Sequence, residues 1–156
     1  MAPVPRPQVG STPRRTGGLS GLPYWPSPQR LREFAGMTSV LVVDDDPSFR
    51  RIAGQMLADF GLAVVGNADS VRAAIEAAVA LRPDAVLVDV GLPDGDGIAL
   101  ALELAALPWK PRVVLTSTNA DAAGETEVRR SCAEAFIPKA QLLNAELDRL
   151  LGARAP

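Results

Sequence analysis

Three aspartates and a lysine stand where short apolar runs of the sequence end. Asp44 and Asp45 close one run, Asp89 closes a second, and Lys139 follows a third after one intervening residue. If these runs are parallel strands, all four side chains emerge at the same edge of one sheet. Converging carboxylates repel one another, and a hard divalent cation offsets that repulsion more fully than a lysine does. An aspartate surrounded by a metal, further carboxylates and a lysine has the components of a phosphoryl-transfer site.

The elements that must position these residues alternate regularly along the chain. Five apolar runs, each followed by a helical pattern, predict a doubly wound α/β fold: a five-stranded parallel sheet covered by helices on both faces. The predicted strands are Val40–Val43, Leu62–Val65, Ala85–Val88, Val113–Thr116 and Ala135–Ile137. The predicted helices run from Asp46-Pro47 to Gly61, from Asp69 or Ser70 to Arg82-Pro83, over Ile98–Leu107, over Asp121–Ser131, and through Leu143, Leu147, Leu150 and Leu151, with Gly91–Gly97 as a loop.

Apolar residues at helical spacing predict which faces of the first two helices pack on the sheet. The first face comprises Phe49, Ile52, Ala53, Met56, Leu57 and Phe60, and the second comprises Val71, Ala74, Ile75, Ala78 and Val79.

Composition limits the functions that the chain can perform. Its 156 residues predict one folded domain, over residues 38–152, and its apolar content of 47% is enough for a core. Residues 37–156 contain 11 basic and 17 acidic side chains, a net charge of −6, which argues against direct DNA binding by the folded domain. No apolar stretch approaches the roughly 20 residues of a membrane span. The chain has no histidine, which excludes histidine-based catalysis, and its single Cys132 fits a reducing cytoplasm.

The first 36 residues differ from the rest in composition. They are rich in Pro, Arg and Gly, with five Arg and one Glu for a net charge of +4, and they predict a disordered tail. One interpretation is a basic arm for a membrane or a nucleic acid. The favoured one is a dispensable tail, or a start codon assigned too early, since Met37 stands three residues before the first apolar run.

Four short stretches resemble the receiver domain of two-component response regulators, which has a flavodoxin-like fold. They are LVVDDDPSFRR (41–51), AVLVDVGLPDGDG (85–97), VVLTS (113–117) and FIPK (136–139). Each stretch is short, and the match comes from their order and their placement at strand ends. The resemblance implies that Asp89 is the phosphoacceptor, that Asp45 binds Mg²⁺ directly and Asp44 binds it through water, and that Lys139 pairs with the phosphoryl oxygens. Together with Asp89, the backbone carbonyl of Gly91 is implied as a further Mg²⁺ ligand.

The resemblance also implies a hydroxyl at the end of the fourth strand and an aromatic switch residue. The usual interval back from Lys139 leads to Ser117, whereas Thr116 is the literal end of the apolar run; we favour Ser117. Phe136 occupies the position of the aromatic switch, although a phenylalanine in a short strand is equally well a core residue. Many receivers have a proline directly after the lysine, whereas here Pro138 precedes it, so the backbone of that loop is not transferable.

Two other readings compete with a phosphorylated receiver. Asp44 and Asp46 also resemble the nucleophile and acid/base pair of haloacid-dehalogenase-type phosphatases. That reading leaves Asp89 unexplained, and the only later acidic residues, Glu146 and Asp148, fall on a helix; a helix-capping role for Asp46 is the simpler one. The second alternative is a receiver that is never phosphorylated and serves only to dock partners.

The resemblance further implies partners. We expect a sensor histidine kinase or a phosphotransfer protein as phosphoryl donor and an unidentified output protein. Because only about four residues follow the receiver-like part, we expect a single-domain regulator without enzymatic output, either monomeric or weakly dimeric when phosphorylated.

Overall fold

The apolar runs of the sequence assemble into a central sheet of five parallel strands. This computed structural model describes residues 36–152. The strands are β1 (Ser39–Val43), β2 (Ala63–Ala68), β3 (Ala85–Asp89), β4 (Arg112–Ser117) and β5 (Ala135–Pro138). Their order in the sheet, β2-β1-β3-β4-β5, is that of the doubly wound, flavodoxin-like fold, and it confirms the predicted fold class. The prediction of a disordered tail over residues 1–36 falls outside the described range except for Gly36.

Within residues 36–152, four helices connect the strands, a fifth follows the last strand, and helices cover both faces of the sheet. They are α1 (Pro47–Asp59), α2 (Val71–Leu81), α3 (Gly97–Ala105), α4 (Glu125–Arg130) and α5 (Leu147–Leu151), and a 3₁₀ segment spans Lys139–Asn144. Alternate strand residues face opposite sides of the sheet, so they supply two separate cores. The first core packs against α2 and α3, and the second packs against α1, α5 and the 3₁₀ segment. None of the helices within residues 36–152 has the length and apolar character that a membrane crossing requires.

The ends of the first helices agree with the capping residues of the sequence. The Asp46 carboxylate accepts a hydrogen bond from the Ser48 N–H at 2.9 Å, and Pro47 follows as the first helical residue. Gly61 ends the first helical segment with a φ of +80°, a conformation in which a side chain is disfavoured. Of the two candidates for the second cap, Ser70 is the one that caps α2, since its Oγ accepts from the Ala73 N–H at 3.1 Å.

Two residues predicted on core-facing surfaces are in fact exposed. Ile52 is 56% exposed because the buried stripe of α1 is centred on Ala53 and Leu57, and Ile52 lies about 100° around the helix from Ala53. Val79 is 57% exposed because α2 packs through its alanines. The alanines buried in α2 are Ala73, Ala74, Ala77 and Ala78.

The last two helices also differ from the prediction. The segment predicted as a helix over Asp121–Ser131 is helical only over Glu125–Arg130. The Asn119 side chain accepts from the Asp121 N–H at 3.0 Å, and this local turn competes with a helix. The final helix does not include Leu143, which is 74% exposed, because the 3₁₀ segment ends at Asn144 and buries Leu142 instead.

Gly97 joins the loop that follows β3 to the start of α3. A Cβ atom at this position would lie 2.1 Å from the carbonyl oxygen of Asp89, so only glycine fits there. The predicted Gly91–Gly97 loop contains a two-residue antiparallel pairing of Gly91–Leu92 with Gly95–Asp96, and the Asp96 carboxylate caps α3 by accepting from the Ile98 N–H at 2.9 Å. The phosphoacceptor candidate therefore lies beside a turn with no room for a side chain.

We predict that Gly97→Ala lowers the free energy of unfolding by at least about 2 kcal/mol, because the new methyl group overlaps the Asp89 backbone. Urea denaturation followed by circular dichroism measures this change. Gly54→Ala is the matched control: a Cβ there meets nothing within 4 Å, and alanine in the middle of α1 should stabilise the protein by up to about 1 kcal/mol. Equal stability of Gly97→Ala and the unmodified protein would contradict the close approach.

Candidate functional site

Three aspartates converge at the carboxyl end of the sheet. Strands β1 and β3 are neighbours, with Val43 paired to Val88, so the residues that follow or end these strands lie side by side. Asp44, Asp45 and Asp89 each place one carboxylate oxygen within 4.8 Å of the others. Asp44 is fully buried, Asp89 is nearly so, and Asp45 is exposed to solvent. The cluster therefore opens to solvent on the side of Asp45.

Asp44 is held rigidly by its surroundings. Its backbone N–H donates to the Ala68 carbonyl at 2.9 Å, which extends the pairing of β1 with β2 by one residue. Its Oδ1 accepts from the Asp46 N–H at 2.8 Å, and its backbone carbonyl accepts from Arg50 Nη1 at 2.7 Å. Its Oδ2 is buried and has no hydrogen bond of good geometry. This oxygen is therefore placed to contact a cation.

Lys139 supplies the one positive side chain that contacts two of these carboxylates in the described part of the chain. Its Nζ lies 2.6 Å from Asp44 Oδ2 and 3.8 Å from Asp89 Oδ2. The shorter contact is an ion pair rather than a directed hydrogen bond, since its angles fall outside hydrogen-bond geometry. The lysine is the first residue of the 3₁₀ segment, directly after Pro138 ends β5, and it reaches the cluster from there.

Phe49 is a site residue that the sequence pattern did not identify. Helical spacing assigned it to the core, and it does pack against the second core, but its ring also lies under the Lys139 ammonium at 4.1 Å from the centroid. Its position in the first turn of α1, close after the aspartates, is the signal that could have marked it.

The charges of the cluster do not balance. Burial, and secondarily the negative charge of Asp44, raise the pKa of Asp89 from 3.8 to about 6, although Lys139 and a hydrogen bond from the Gly91 N–H pull it down. Gly91 donates to Asp89 Oδ1 at a long 3.4 Å. Three carboxylates against one lysine leave an excess negative charge that a divalent cation with oxygen ligands matches. The donor set, three carboxylates within reach of one another, therefore fits Mg²⁺.

The two hydroxyl candidates at the end of β4 have different surroundings. Thr116 is fully buried, and its Oγ1 donates to the Ile137 carbonyl at 2.7 Å across to β5. Ser117 is the last residue of the strand, and its Oγ accepts from the Asn119 N–H at 3.1 Å, which leaves the hydroxyl proton available. This geometry favours Ser117 over Thr116, and the role of Ser117 remains a prediction.

Phe136 lies on the edge strand of the sheet. It is half-buried, packs against the first core, and borders a cavity of about 410 Å³ that Val128 of α4 also lines. The cavity provides space next to the ring. Its role as a switch remains a prediction.

The residues that a phosphatase of the haloacid-dehalogenase type would need are not assembled. Asp46 is engaged as the cap of α1. Within residues 36–152, the acidic residues that converge are Asp44, Asp45 and Asp89, and the group does not include Glu146 or Asp148. The geometry therefore gives the alternative reading no support.

The comparisons with known proteins agree with the fold. Residues 40–150 match the family described as the response regulator receiver domain. The chain belongs to this family, and the resemblance seen in the sequence is confirmed. By structure it is similar to the signal receiver domain of a response regulator, NarL, from Mycobacterium tuberculosis, with a TM-score of 0.61 and 30% identity over 75% of this chain and 98% of that one.

Longer curated relatives contain a segment similar to this chain. A protein-glutamate methylesterase/protein-glutamine glutaminase of Alkalilimnicola ehrlichii is 40% identical over 101 residues, which are 64% of this chain and 26% of that protein. A protein of the same name from Halobacterium salinarum is 32% identical over 115 residues, 72% of this chain and 33% of that protein. The chain thus spans about a quarter to a third of the length of these relatives.

The raised pKa of Asp89 predicts a pH-dependent stability. The unfolded carboxyl ionises near 3.8 and the folded one near 6, so the native state binds more protons between these values. In metal-free buffer, the unfolding free energy of the unmodified protein should therefore fall, relative to Asp89→Asn, as the pH rises from about 4 to 6. The relative loss should reach at most about 3 kcal/mol.

Urea denaturation of both proteins in EDTA, at steps between pH 3.5 and 7.5, checks this expectation. The difference between the two curves isolates Asp89 from the other carboxylates. Parallel curves would show that the pKa of Asp89 is not raised in the folded state.

Proposed function

We propose that this protein is a phosphorylation-dependent signalling receiver in which Asp89 accepts a phosphoryl group from a sensor histidine kinase or a phosphotransfer protein. The observation that carries the proposal is the convergence of Asp44, Asp45, Asp89 and Lys139 at one edge of the sheet in a receiver-family chain. Asp44, Asp45 and Asp89, with the Gly91 carbonyl, are the proposed Mg²⁺ ligands.

Each side chain has a distinct part in this transfer. One carboxylate oxygen of Asp89 attacks the phosphorus, and the bond to the leaving group breaks as its electron pair departs with that group. Asp44, Asp45, Asp89 and the Gly91 carbonyl would hold Mg²⁺, which when bound would neutralise charge on the phosphoryl oxygens. Lys139 lies 3.8 Å from Asp89 Oδ2 and donates to the new phosphoryl group, and the Ser117 hydroxyl donates from the end of β4.

The proposed output is a change of binding surface rather than a chemical reaction on a substrate. A phosphoryl group adds negative charge at Asp89 and attracts Ser117 and Lys139 toward it. The movement of Ser117 and Lys139 leaves space beside β4, and the Phe136 ring turns into it. Helix α4, which has no buried residue, shifts with the ring. The new surface of α4, β5 and α5 is proposed to select the output protein.

Partners and location follow the same proposal. A histidine kinase is the proposed donor because the chain belongs to the receiver family. The cytoplasm, where such donors act, is the proposed location. The single-domain organisation, the monomeric or weakly dimeric state and the absence of direct DNA binding remain predictions from the sequence. The methylesterase activity named for the longer relatives is a property of those proteins.

We predict that acetyl phosphate with Mg²⁺ labels the unmodified protein on Asp89 and does not label Asp89→Asn. The linkage is an acyl phosphate, so the label should survive acid and disappear in base. Phosphate-affinity gels quantify the label, and peptide mass spectrometry after hydride reduction of the acyl phosphate locates it. Asp59→Asn, at the far end of α1, is the control and should label as the unmodified protein does.

The three readings give different results in this experiment. A signalling receiver is labelled on Asp89, a phosphatase of the haloacid-dehalogenase type is labelled on Asp44, and a docking receiver is not labelled. Label that persists in Asp89→Asn would contradict the assignment of Asp89.

A further inference from the structure

The Lys139 ammonium has an aromatic neighbour as well as two carboxylates. Its Nζ lies over the Phe49 ring, 4.1 Å from the centroid, and this is well within the range of a cation–π contact. The carboxylate of Asp44 is 2.6 Å from the same nitrogen, and that of Asp89 is 3.8 Å away. Only 14% of the lysine side chain is exposed, so the contact is sheltered from water. A cation–π attraction is stronger in such a desolvated place than at an exposed surface.

Phe49 is well placed to hold a flexible side chain. It lies in the first turn of α1, whose start is set by the Asp46 cap and Pro47, and its ring packs against the second core. The next residue, Arg50, donates to the Asp44 carbonyl, which ties this turn of the helix to the aspartate. Lys139, in contrast, reaches the site from the end of β5 on a flexible four-carbon chain. The ring and Asp44 are therefore parts of one rigid unit that receives the ammonium.

The two carboxylates alone do not keep the ammonium between them. In this structure Nζ sits against Asp44, 1.2 Å closer to it than to Asp89, as the difference between 3.8 Å and 2.6 Å shows. To bind a phosphoryl oxygen on Asp89, the ammonium must leave the Asp44 oxygen without swinging out to solvent. A ring face allows such a movement, because its attraction for a cation is broad and has no single hydrogen-bond direction.

We propose that Phe49 is a positioning residue for Lys139: its ring face keeps the ammonium within reach of Asp89 and so raises the rate at which Asp89 accepts a phosphoryl group. This inference rests on the proposed function. In the transfer itself, Asp89 forms the bond to phosphorus and the leaving group departs with its electron pair. Lys139 keeps its protons and donates hydrogen bonds. Phe49 contributes no reacting atom.

Substitutions at Phe49 distinguish the effect of its aromatic π face from the effect of its side-chain volume. In the full chain, Phe49→Leu keeps an apolar side chain and should lower the rate of Asp89 phosphorylation by acetyl phosphate about three- to tenfold at saturating Mg²⁺. Site-specific replacement of Phe49 by mono-, di- and trifluorophenylalanine preserves the shape and withdraws electron density from the ring. The rate should therefore fall in steps with the number of fluorines. Mg²⁺ affinity should stay within about twofold, since Phe49 offers no ligand.

Phe60→Leu is the matched control for packing. Phe60 is the other half-buried phenylalanine of this helical segment, packs against the same core, and lies at the opposite end of α1. Its substitution should lower stability without changing the phosphorylation rate. If Phe60→Leu slows phosphorylation as much as Phe49→Leu does, the effect is one of general packing and the proposal is wrong.

A spectroscopic measurement tests the contact independently of phosphorylation. The ring current of Phe49 should move the Lys139 Cε protons upfield in the NMR spectrum, with the signal assigned by its absence in Lys139→Arg. The shift should vanish in Phe49→Leu and persist in Phe60→Leu. An unchanged Lys139 signal in Phe49→Leu would overturn the proposal.

The phosphorylation rates and the NMR shift together distinguish failure of this inference from failure of the proposed function. If the unmodified protein is labelled on Asp89 and the fluorinated series has a constant rate, Phe49 has no positioning role. If the unmodified protein takes no phosphoryl group although the ring-current shift is present, the proposed function is wrong, and the rate effect of Phe49 is overturned with it.

Discussion

Repulsion among three carboxylates that the backbone forces together is the constraint on which this site depends. Asp44 and Asp89 are placed by neighbouring strands with Val43 paired to Val88, so they cannot move apart without breaking the sheet. Burial is the main cause of the raised pKa of Asp89, and the negative charge of Asp44 raises it further. One lysine offsets part of the excess charge. The fold therefore leaves an excess of negative charge at the site, and a bound cation or a proton compensates this charge.

The surrounding structure keeps that imbalance in place. Gly97 lets α3 start directly against the Asp89 backbone, and Asp94 ties the same loop to α2 by accepting from the N–H groups of Val71 and Arg72 at 2.7 and 3.1 Å. These hydrogen bonds, chiefly the one from Val71, lower the pKa of Asp94, whereas the surroundings of Asp89 raise its pKa. Two aspartates five residues apart thus have opposite roles: Asp94 stabilises the start of α2, and Asp89 is held where its charged form is disfavoured.

The parts of the fold that depend on local chemistry were predictable from the sequence. Apolar runs defined the strands, Asp46 and Gly61 marked the ends of the first helix, and parallel strands required the aspartates to meet at one edge. The receiver family follows from the same residues. The exposed Ile52 was not predictable, because periodicity indicates a helix but not how wide its buried stripe is. The shortened α4 escaped prediction because the Asn119 turn competes with a helix that has no buried anchor.

Contacts between distant segments could not be predicted from the sequence, for a different reason. Phe49 and Lys139 are ninety residues apart, and no spacing rule relates a helix residue to a residue that follows an edge strand. The same applies to Asp94 and Val71. Such contacts depend on the relative placement of whole elements, which the packing of the two cores determines.

A Mg²⁺ titration followed by the amide chemical shifts of Gly91 and its neighbours measures whether this cluster binds a divalent cation. We expect saturable, weak binding to the unmodified protein and a loss of at least about tenfold in affinity in Asp45→Ala, since that variant removes a ligand without disturbing the buried pair. Asp59→Ala, which removes an exposed acidic residue at the far end of α1, should bind as the unmodified protein does. Equal Mg²⁺ affinity of Asp45→Ala and the unmodified protein would show that the three carboxylates do not form a cation site.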